Sequence, residues 1–351
     1  MKVGMIGLGR MGGNMAQRLM AAGHECVVYD VDATARERVA REGAVACDTL
    51  DVLIDLLEAP RVIWLMLPAA VIDTALGELH PLLGEGDVVV DGGNSCWRDS
   101  VRRAADMTAR GHLFMDVGTS GGVRGLERGY CLMVGGPAAG FQRIEPLLIA
   151  LAPGAAAAAP TPGRHIGGTA EQGYLHCGPA GAGHYVKMIH NAIEYGIMAA
   201  YAEGFNLLHQ AGQGIEGSEG RGRAASPPRP EHFLYDFDLP DIAELWRRGS
   251  VIGSWLLDLT SQALHADPGL ERYAGRVSDS GEGRWALGAA IDLGVPAPVL
   301  SAALFSRFAS RDAETFSMQV LSAMREQFGG HLEASAAAHT ERVPPPRAGD
   351  A

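Results

Sequence analysis

The chain has 351 residues, of which 47% are hydrophobic, so it is long enough for two domains with a large core. Its formal net charge of −12 argues against nucleic acid or an anionic membrane surface as a partner. The five cysteines are scattered and odd in number, none of the 12 histidines belongs to a metal-binding motif, and no apolar run approaches the ~20 residues of a membrane span. We therefore expect a cytoplasmic protein with reduced thiols and no metal site.

The N-terminus combines a short apolar strand with three closely spaced glycines, in the order Gly7-Leu8-Gly9-Arg10-Met11-Gly12. A helical pattern follows, and a second strand leads into Asp30. In this context the glycines allow a tight turn and close approach to a pyrophosphate, which the helix N–H groups then hold. Asp30 would accept a hydrogen bond from the adenosine ribose and repel a 2′-phosphate, which predicts NAD; the alternative is a surface acid.

Further strands at 61–67, 87–91, 112–117 and 131–135 alternate with helices to about residue 177. Alternation of this kind predicts a parallel sheet covered by helices, with ligands beyond the carboxyl ends of the strands. Asn94 and Ser120 could instead cap the helices that follow them. The residues expected on this rim, besides the glycine loop, are Leu67, Pro68, Ala69, Ala70, Asn94, Ser120, Gly121 and Gly122.

Beyond residue 178 the pattern becomes helical, and its most informative segment is Gly183–Tyr195. Lys187, His190, Asn191 and Glu194 follow the spacing i, i+3, i+4, i+7, which places them in one stripe about 100° wide. Apolar residues cover the rest of the circumference, so we expect a buried helix, continuing to about Ala211, whose polar stripe lines a cavity. A structural Lys–Glu pair with a core histidine is the alternative.

Burial suits this stripe to acid–base chemistry, because it favours the neutral form of a lysine and the protonated form of a glutamic acid. We predict a dinucleotide-binding domain over residues 1–178 and an all-helical substrate and dimerisation domain over 179–333. Residues 334–351 are expected to be a disordered tail, and 213–229 an exposed loop.

Several separate motifs together resemble the decarboxylating 6-phosphogluconate dehydrogenases, in their short, NAD-preferring bacterial branch. The resemblance is collinear over roughly residues 1–333. It implies an α/β Rossmann-type N-terminal domain followed by an all-α C-terminal domain. The motifs are the glycine-loop opening, Asp91–Ser95, Gly118–Gly122, the Lys187 to Glu194 stripe, Leu245–Trp255, Asp279–Trp285, Phe305–Arg307 and Arg325–His331.

The resemblance also implies a reaction: oxidative decarboxylation of 6-phospho-D-gluconate to ribulose 5-phosphate and CO₂, with reduction of NAD and without a metal. Lys187 would be the general base, Glu194 the general acid and Asn191 a third catalytic residue. The cofactor residues would be Gly7–Gly12, Asp30, Leu67, Pro68, Ala69 and Asn94. The substrate residues would be Asn94, Ser120, Gly121, Gly122, His190, Tyr195, Arg284, Arg307, Arg325 and His331, with Arg325 and His331 reaching the partner's site in a homodimer or homotetramer.

The chain departs from the family pattern at two places. Tyr29-Asp30-Val31-Asp32 stands where NADP-using members carry Asn-Arg-Thr, which favours NAD, although Arg36 and Arg38 keep NADP as the second choice. Arg284 stands where many relatives have lysine, which keeps the charge but changes its geometry. The helical domain also lacks one half of the duplication found in long members.

Two other functions remain open. A β-hydroxyacid dehydrogenase, of the 3-hydroxyisobutyrate or tartronate semialdehyde type, shares the glycine loop and the Lys/Asn pair. It would not need His190, Glu194, Arg325 or His331, because it binds no sugar phosphate. A non-catalytic NAD-binding regulator would keep the glycine loop and Asp30 without the polar stripe. The pathway, gluconate utilization or the pentose phosphate pathway, also stays open.

Overall fold

The computed structural model describes residues 1–164, 167–212, 230–311 and 315–329. The chain divides into two compact units: Met1–Ala192 with Glu282–Asp292, and Ile193–Gly281 with Leu293–Ala351. The first unit therefore extends past residue 178 and includes the beginning of the helix that carries Lys187. The predicted loop at 213–229 and the predicted tail at 334–351 lie outside the described residues.

The first unit is built on one eight-stranded sheet, in the order β3-β2-β1-β4-β5-β6-β7-β8. Alternate residues of the central strands contribute to two hydrophobic clusters, since successive side chains point to opposite faces: Trp64 belongs to one cluster, and Ile63 and Leu65 to the other. The strands are β1 (Lys2–Ile6), β2 (Glu25–Tyr29), β3 (Val45–Ala46), β4 (Val62–Leu65), β5 (Val88–Asp91), β6 (Leu113–Ser120), β7 (Cys131–Gly135) and β8 (Tyr174–Gly178).

Helices connect these strands and cover the sheet, which confirms the predicted Rossmann-type α/β class. They are α1 (Arg10–Ala21), α2 (Ala33–Arg41), α3 (Leu50–Asp55), α4 (Ile72–Leu79), α5 (Trp97–Ala109), α6 (Gly125–Arg128) and α7 (Ala138–Leu151). The long helix α8 (Ala182–Gly212) begins directly after β8.

One pairing differs from the predicted parallel sheet: β7 runs antiparallel to β6. Only residues 121–130 separate the two strands, and they hold a short 3₁₀ turn and the single-turn helix α6. A parallel crossover needs a dozen or more residues, so this connection is too short for one. As a result Cys131 pairs with Ser120, and β7 begins at the rim where β6 ends.

The secondary-structure elements described in the second unit are all helices, joined by turns and loops. Asp238 and Ser254 cap helices at their N-termini, each accepting a hydrogen bond from a backbone N–H three residues on. A small core of Phe205, Ala243, Leu257 and Leu264 joins these helices. The later helices of the chain are α9 (Leu239–Arg247), α10 (Trp255–Ala266), α11 (Glu282–Leu293), α12 (Pro298–Ala309) and α13 (Thr315–Gly329), with α11 falling mostly in the first unit. No helix in the described ranges is long and apolar enough to cross a membrane.

The course of α8 matches the expected helix to about Ala211, but its burial does not. Met188 and Ala192 are buried, whereas Val186 is 41% exposed and Ile193 is 51% exposed. The prediction of a helix buried on all sides was therefore wrong for the single chain. Val186 and Ile193 mark an apolar face of α8 that stays exposed, because no segment among the described residues covers it.

Candidate active site

The glycine loop joins β1 to α1, and its backbone needs residues without side chains. Gly7 has a φ of +94°, and a Cβ there would lie 2.5 Å from the carbonyl oxygen of Met66. A Cβ on Gly12 would lie 1.9 Å from the carbonyl oxygen of Gly7. Around Gly9, in contrast, an added Cβ would meet nothing within 4 Å. The loop is thus tight against its own sheet and open where α1 begins, which is the shape that admits a phosphate.

Asp30 follows β2 and holds the glycine loop from the side. One carboxylate oxygen accepts the Leu8 N–H at 2.6 Å, and the other accepts the Asp32 N–H at 2.9 Å. An ionised carboxylate has about four lone-pair positions, so it can still accept from a ribose hydroxyl.

Arg36 and Arg38, the two residues that kept NADP open, both make contacts within the loop region. Arg36 donates to the Asp30 carbonyl oxygen at 2.7 Å and pairs with Asp48 at 3.0 Å. Arg38 donates to the Leu8 carbonyl oxygen at 2.5 Å. Their guanidinium groups therefore support the loop backbone.

The next two strand ends lie against each other. A Cβ on Gly93 would lie 2.6 Å from the carbonyl oxygen of Leu67, so the turn after β5 packs directly on the turn after β4. Pro68 and Ala69 continue the β4 turn, and Asn94 is exposed at the top of the β5 turn. The expected rim residues of β1, β4 and β5 are thus neighbours.

An ion-pair network centred on two buried residues lies beneath these turns and was not predicted. Arg103 donates to Asp73 at 2.8 Å and to Asp91 at 3.3 Å, and Ser95 donates to Asp91 at 2.7 Å. Asp91 and Arg103 are buried. The Arg103 hydrogen bond, followed by that of Arg102, lowers the pKa of Asp73. The network joins α4, α5 and the Asn94 turn.

The Ser120–Gly122 turn ends β6 with two glycines at positive φ, +136° at Gly121 and +53° at Gly122. The Asn14 side-chain amide, on α1, donates to the Val123 carbonyl oxygen at 3.1 Å. The helix of the glycine loop is therefore hydrogen-bonded to the segment directly after the turn.

A second unpredicted residue, Asp116 on β6, fixes the start of α8. Its carboxylate accepts the backbone N–H of Gly181 at 2.6 Å and that of His184 at 2.8 Å. Asp116 is fully buried. A carboxylate at a helix N-terminus satisfies orphan N–H groups and interacts favourably with the helix dipole. The helix that carries Lys187 is thereby fixed to the end of the sheet.

Lys187 is buried, at 9% exposure, and passes over β6 at Gly118. A Cβ built on Gly118 would lie 2.3 Å from the Lys187 Cβ, so glycine is required at that point of the strand. Burial raises the pKa of the nearby Cys131 thiol, and the charge of Lys187 acts in the opposite direction. Lys187 thus packs over β6 near the end of that strand, and its charge acts on Cys131 at the beginning of β7.

The other polar residues of the first α8 turns form a hydrogen-bonded chain with the β6 end. Ser120 Oγ lies 3.3 Å from His190 Nε2, and His190 Nδ1 lies 3.0 Å from Asn191 Oδ1. Asn191 Nδ2 donates to Glu282 Oε1 at 3.1 Å. Glu282 was not predicted as a site residue, although the quoted motif at 279–285 contains it.

The predicted general acid and the predicted phosphate-binding residues that the structure describes lie on several different helices. In the second unit, the Arg307 guanidinium lies 3.5 Å above the Tyr195 ring centroid, and Ser280 contacts the Tyr195 hydroxyl. Glu194 is half-buried on α8, and Arg284 is exposed on α11. Arg325 falls within α13, but its side chain and all of His331 lie outside the described residues.

Two family models match the chain in tandem. The NAD-binding domain of 6-phosphogluconate dehydrogenase matches residues 2–159, and the C-terminal domain of 6-phosphogluconate dehydrogenase matches 183–218 and 229–341.

Among curated proteins, the chain is 39% identical over 333 residues to the NAD(+)-dependent, decarboxylating 6-phosphogluconate dehydrogenase of Haloferax volcanii, covering 94% of this chain and 98% of that protein. It is 38% identical to the putative 6-phosphogluconate dehydrogenase YqeC of Bacillus subtilis, with the same coverage. It covers 65% of the longer Synechocystis enzyme, at 32% identity.

Solved structures show the same fold at lower identity. The Plasmodium falciparum 6-phosphogluconate dehydrogenase superposes with a TM-score of 0.70 at 24% identity, covering 94% of this chain and 65% of that one. A 3-hydroxyisobutyrate dehydrogenase of Salmonella typhimurium gives 0.65 at 22% identity, covering 89% and 95%. Because both family domains and full-length relatives match, the chain is an oxidoreductase that belongs to the 6-phosphogluconate dehydrogenase family.

Proposed function

We propose that this protein catalyses the NAD-dependent oxidative decarboxylation of 6-phospho-D-gluconate to ribulose 5-phosphate and CO₂. The observation that carries the proposal is the position of Lys187, buried over the end of β6 on the helix turns that also carry His190 and Asn191, which are hydrogen-bonded to Ser120. A regulator that only bound a nucleotide would have no use for a buried lysine at this point. The names of the Haloferax and Bacillus relatives agree with this reaction.

The residues around the glycine loop fit a dinucleotide. The pyrophosphate would lie over Gly9, where the loop is open, and the N–H groups at the start of α1 would hold it. Asp30 would accept from the adenosine ribose, and Leu67, Pro68, Ala69 and Asn94 would line the path across β4 and β5. When bound, the nicotinamide accepts the hydride from C3 of the substrate.

The protein's own part in the reaction is proton transfer. Neutral Lys187 would accept the proton of the C3 hydroxyl as that carbon is oxidised. The resulting 3-keto acid loses its C1 carboxylate as CO₂, and protonated Lys187 returns its proton to the enolate oxygen. Glu194 would then protonate the carbon that lost CO₂, which is C2 of the substrate and becomes C1 of ribulose 5-phosphate. Ser120, Gly121, Gly122, His190 and Asn191 would hold the hydroxyl and carboxylate groups during these steps.

We assign the preference for NAD to Asp30. A 2′-phosphate on the adenosine ribose, in place of the 2′-hydroxyl, would meet the Asp30 carboxylate. The nearby cations Arg36 and Arg38 already bind backbone carbonyl oxygens and Asp48. An NADP-binding member would need at least one of these guanidinium groups to turn toward the phosphate.

Cationic residues of the helical part would bind the substrate phosphate. Arg307 supports this role, because it lies on the Tyr195 ring and Arg307 and Tyr195 were both predicted to be near the phosphate. Arg284 would add a second cation, and Arg325 and His331 would come from the partner subunit of a homodimer or homotetramer. We also propose that the enzyme is cytoplasmic, where its five cysteines would stay reduced.

The test is an assay of the purified protein with 6-phosphogluconate, comparing NAD with NADP and trapping CO₂. We expect NADH and CO₂ in equal amounts, and no turnover in Lys187→Ala. That variant should still bind NADH, because Lys187 lies on α8 over Gly118 of β6, whereas the glycine loop joins β1 to α1. NADPH formation with CO₂ would keep the reaction and reject the assignment to Asp30. Activity on 3-hydroxyisobutyrate without CO₂ would replace the proposal with a β-hydroxyacid dehydrogenase.

A further inference from the structure

The hydrogen-bonded chain that begins at Ser120 ends at a buried carboxylate. Glu282 is 1% exposed and lies in the first turn of α11, within the same compact unit as β6 and the start of α8. It is 91 residues from Asn191 in sequence, yet its Oε1 accepts the Asn191 amide N–H at 3.1 Å. Burying a carboxylate is costly unless it makes strong hydrogen bonds, so its position calls for an explanation.

The chemistry of each group fixes the direction of the whole chain. An ionised carboxylate can only accept, so the Asn191 amide must turn its NH₂ group toward Glu282. Its carbonyl oxygen then faces His190 Nδ1, at 3.0 Å, which must carry the proton. His190 Nε2 is left as an acceptor, and the Ser120 hydroxyl, at 3.3 Å, donates to it.

We propose that Glu282 is a positioning residue that fixes the Asn191 amide and, through it, holds neutral His190 in the Nδ1–H tautomer. His190 Nε2 is thereby kept as a hydrogen-bond acceptor at the end of β6. The inference rests on the proposed function insofar as His190 and Asn191 hold the substrate. A hydroxyl that displaced Ser120 from His190 would donate its proton to Nε2.

A neutral amide in place of the carboxylate would remove this control. Glutamine has nearly the same shape as glutamate but presents either an oxygen or an NH₂ group. With NH₂ facing Asn191, the Asn191 amide turns around, and His190 Nδ1 must accept instead of donate. Glu282→Gln therefore keeps the packing but no longer fixes which tautomer His190 adopts, whereas Glu282→Asp keeps the charge.

Glu282 has a purely structural alternative role, since an acidic residue in the first turn of a helix stabilises that helix. Asp292, near the other end of α11, supplies a matched control: it is an exposed carboxylate that pairs with Arg98. Asp292→Asn also neutralises one carboxylate of the same helix, but it changes no member of the hydrogen-bonded chain from Ser120 to Glu282.

The kinetic test measures kcat and KM in wild type, Glu282→Gln, Glu282→Asp and Asp292→Asn. Hydrogen bonds to charged groups are worth enough to change rates by about tenfold or more. We expect Glu282→Gln to lower kcat/KM for 6-phosphogluconate by about tenfold, with an unchanged KM for NAD. Glu282→Asp should recover part of this loss. In Asp292→Asn, kcat/KM should stay within about twofold of wild type. In a His190→Gln background the Glu282→Gln loss should disappear, because both substitutions act on one chain.

A direct readout does not depend on turnover. In protein labelled with ¹⁵N-histidine, at a pH where the imidazoles are neutral, the His190 signals, identified by their absence in His190→Gln, should show a protonated Nδ1 and an unprotonated Nε2. In Glu282→Gln the two tautomers should mix. If wild type lacks 6-phosphogluconate activity but shows this spectrum, the proposed reaction fails and the role of Glu282 in the chain stands.

Three results would overturn the role of Glu282. The first is the Nε2–H tautomer in wild type. The second is an unchanged His190 spectrum in Glu282→Gln. The third is a loss of activity in Glu282→Gln that persists undiminished in the His190→Gln background and accompanies a lowered Tm, which would leave only a structural role. If Glu282→Gln does not fold, the wild-type spectrum and Glu282→Asp, which should keep the Nδ1–H tautomer, decide the matter.

Discussion

Gly118 shows how a single missing side chain can decide whether Lys187, the proposed general base, reaches its place. We expect Gly118→Ala to lower kcat by about tenfold or more, because the new Cβ would lie 2.3 Å from the Lys187 Cβ, an atom next to the backbone that cannot move aside. Gly288→Ala is the control, since a Cβ there meets nothing within 4 Å. Steady-state assays of both variants check this, and normal turnover in Gly118→Ala would place Lys187 elsewhere.

Asp30 is expected to act on both the cofactor and the glycine loop, and one substitution removes both contacts. Asp30→Ala removes the proposed ribose acceptor and also the partner of the Leu8 N–H. We expect the KM for NAD to rise by about tenfold and the NAD over NADP ratio of kcat/KM to fall. Asp48→Ala, which releases only Arg36, should change NAD affinity little and improve NADP use. An unchanged cofactor ratio in Asp30→Ala would remove Asp30 from the account of specificity.

At the scale of elements, Asp116 joins the sheet to α8. Asp116→Ala leaves the N–H groups of Gly181 and His184 without their buried acceptor, so the free energy of unfolding should fall by about 2–4 kcal/mol. Activity should fall as well, because the first turns of α8 carry Lys187. Urea unfolding and turnover should be compared with Asp51→Ala, an exposed carboxylate on α3. Equal stability in the two variants would contradict the capping role.

The stability contributed by the ion pairs between α4 and α5 should depend on pH. Arg103 and Arg102 lower the pKa of Asp73, so its ionised form is favoured in the folded state. Its stabilisation is therefore present above the ordinary aspartate pKa and is lost as pH falls through the lower, folded value. The difference in unfolding free energy between wild type and Asp73→Asn should be below about 1 kcal/mol at pH 7, since Asp73 is half-exposed, and should shrink in acid below about pH 4. A difference that stayed constant with pH would show that charge is not involved.

At the scale of the molecule, the sequence patterns predicted those features that depend on residues close together in the sequence. The glycine loop, Asp30 and the stripe on α8 each lie within one stretch of sequence with a fixed spacing, and their elements were predicted correctly. Glu282 and Asp116 could not be found in this way, because their partners are 91 and 65 or more residues distant. Periodicity also could not show that β7 runs antiparallel, or that one face of α8 is exposed: it reports which residues are apolar, and says nothing of what covers them.

That uncovered face leads to a prediction about assembly. Large apolar side chains are exposed along the helical part of the chain, among them Ile193 at 51%, Val299 at 67% and Phe305 at 60%. Surfaces of this kind mark contacts between proteins more often than they face water. We expect a homodimer or homotetramer by light scattering at micromolar concentration, and partial or complete dissociation of Val299→Glu.

The control for this prediction is Ile149→Glu, which adds the same charge at an exposed isoleucine of α7, outside the helical part. It should leave the oligomer intact. If Arg325 and His331 reach the partner's site, Val299→Glu should raise the KM for 6-phosphogluconate far more than the KM for NAD, because the glycine loop and Asp30 are complete within one chain. A wild-type monomer with full activity would contradict both the assembly and the shared site. A dissociated Val299→Glu with an unchanged KM would keep the assembly and assign the phosphate to residues of the same chain, such as Arg307 and Arg284.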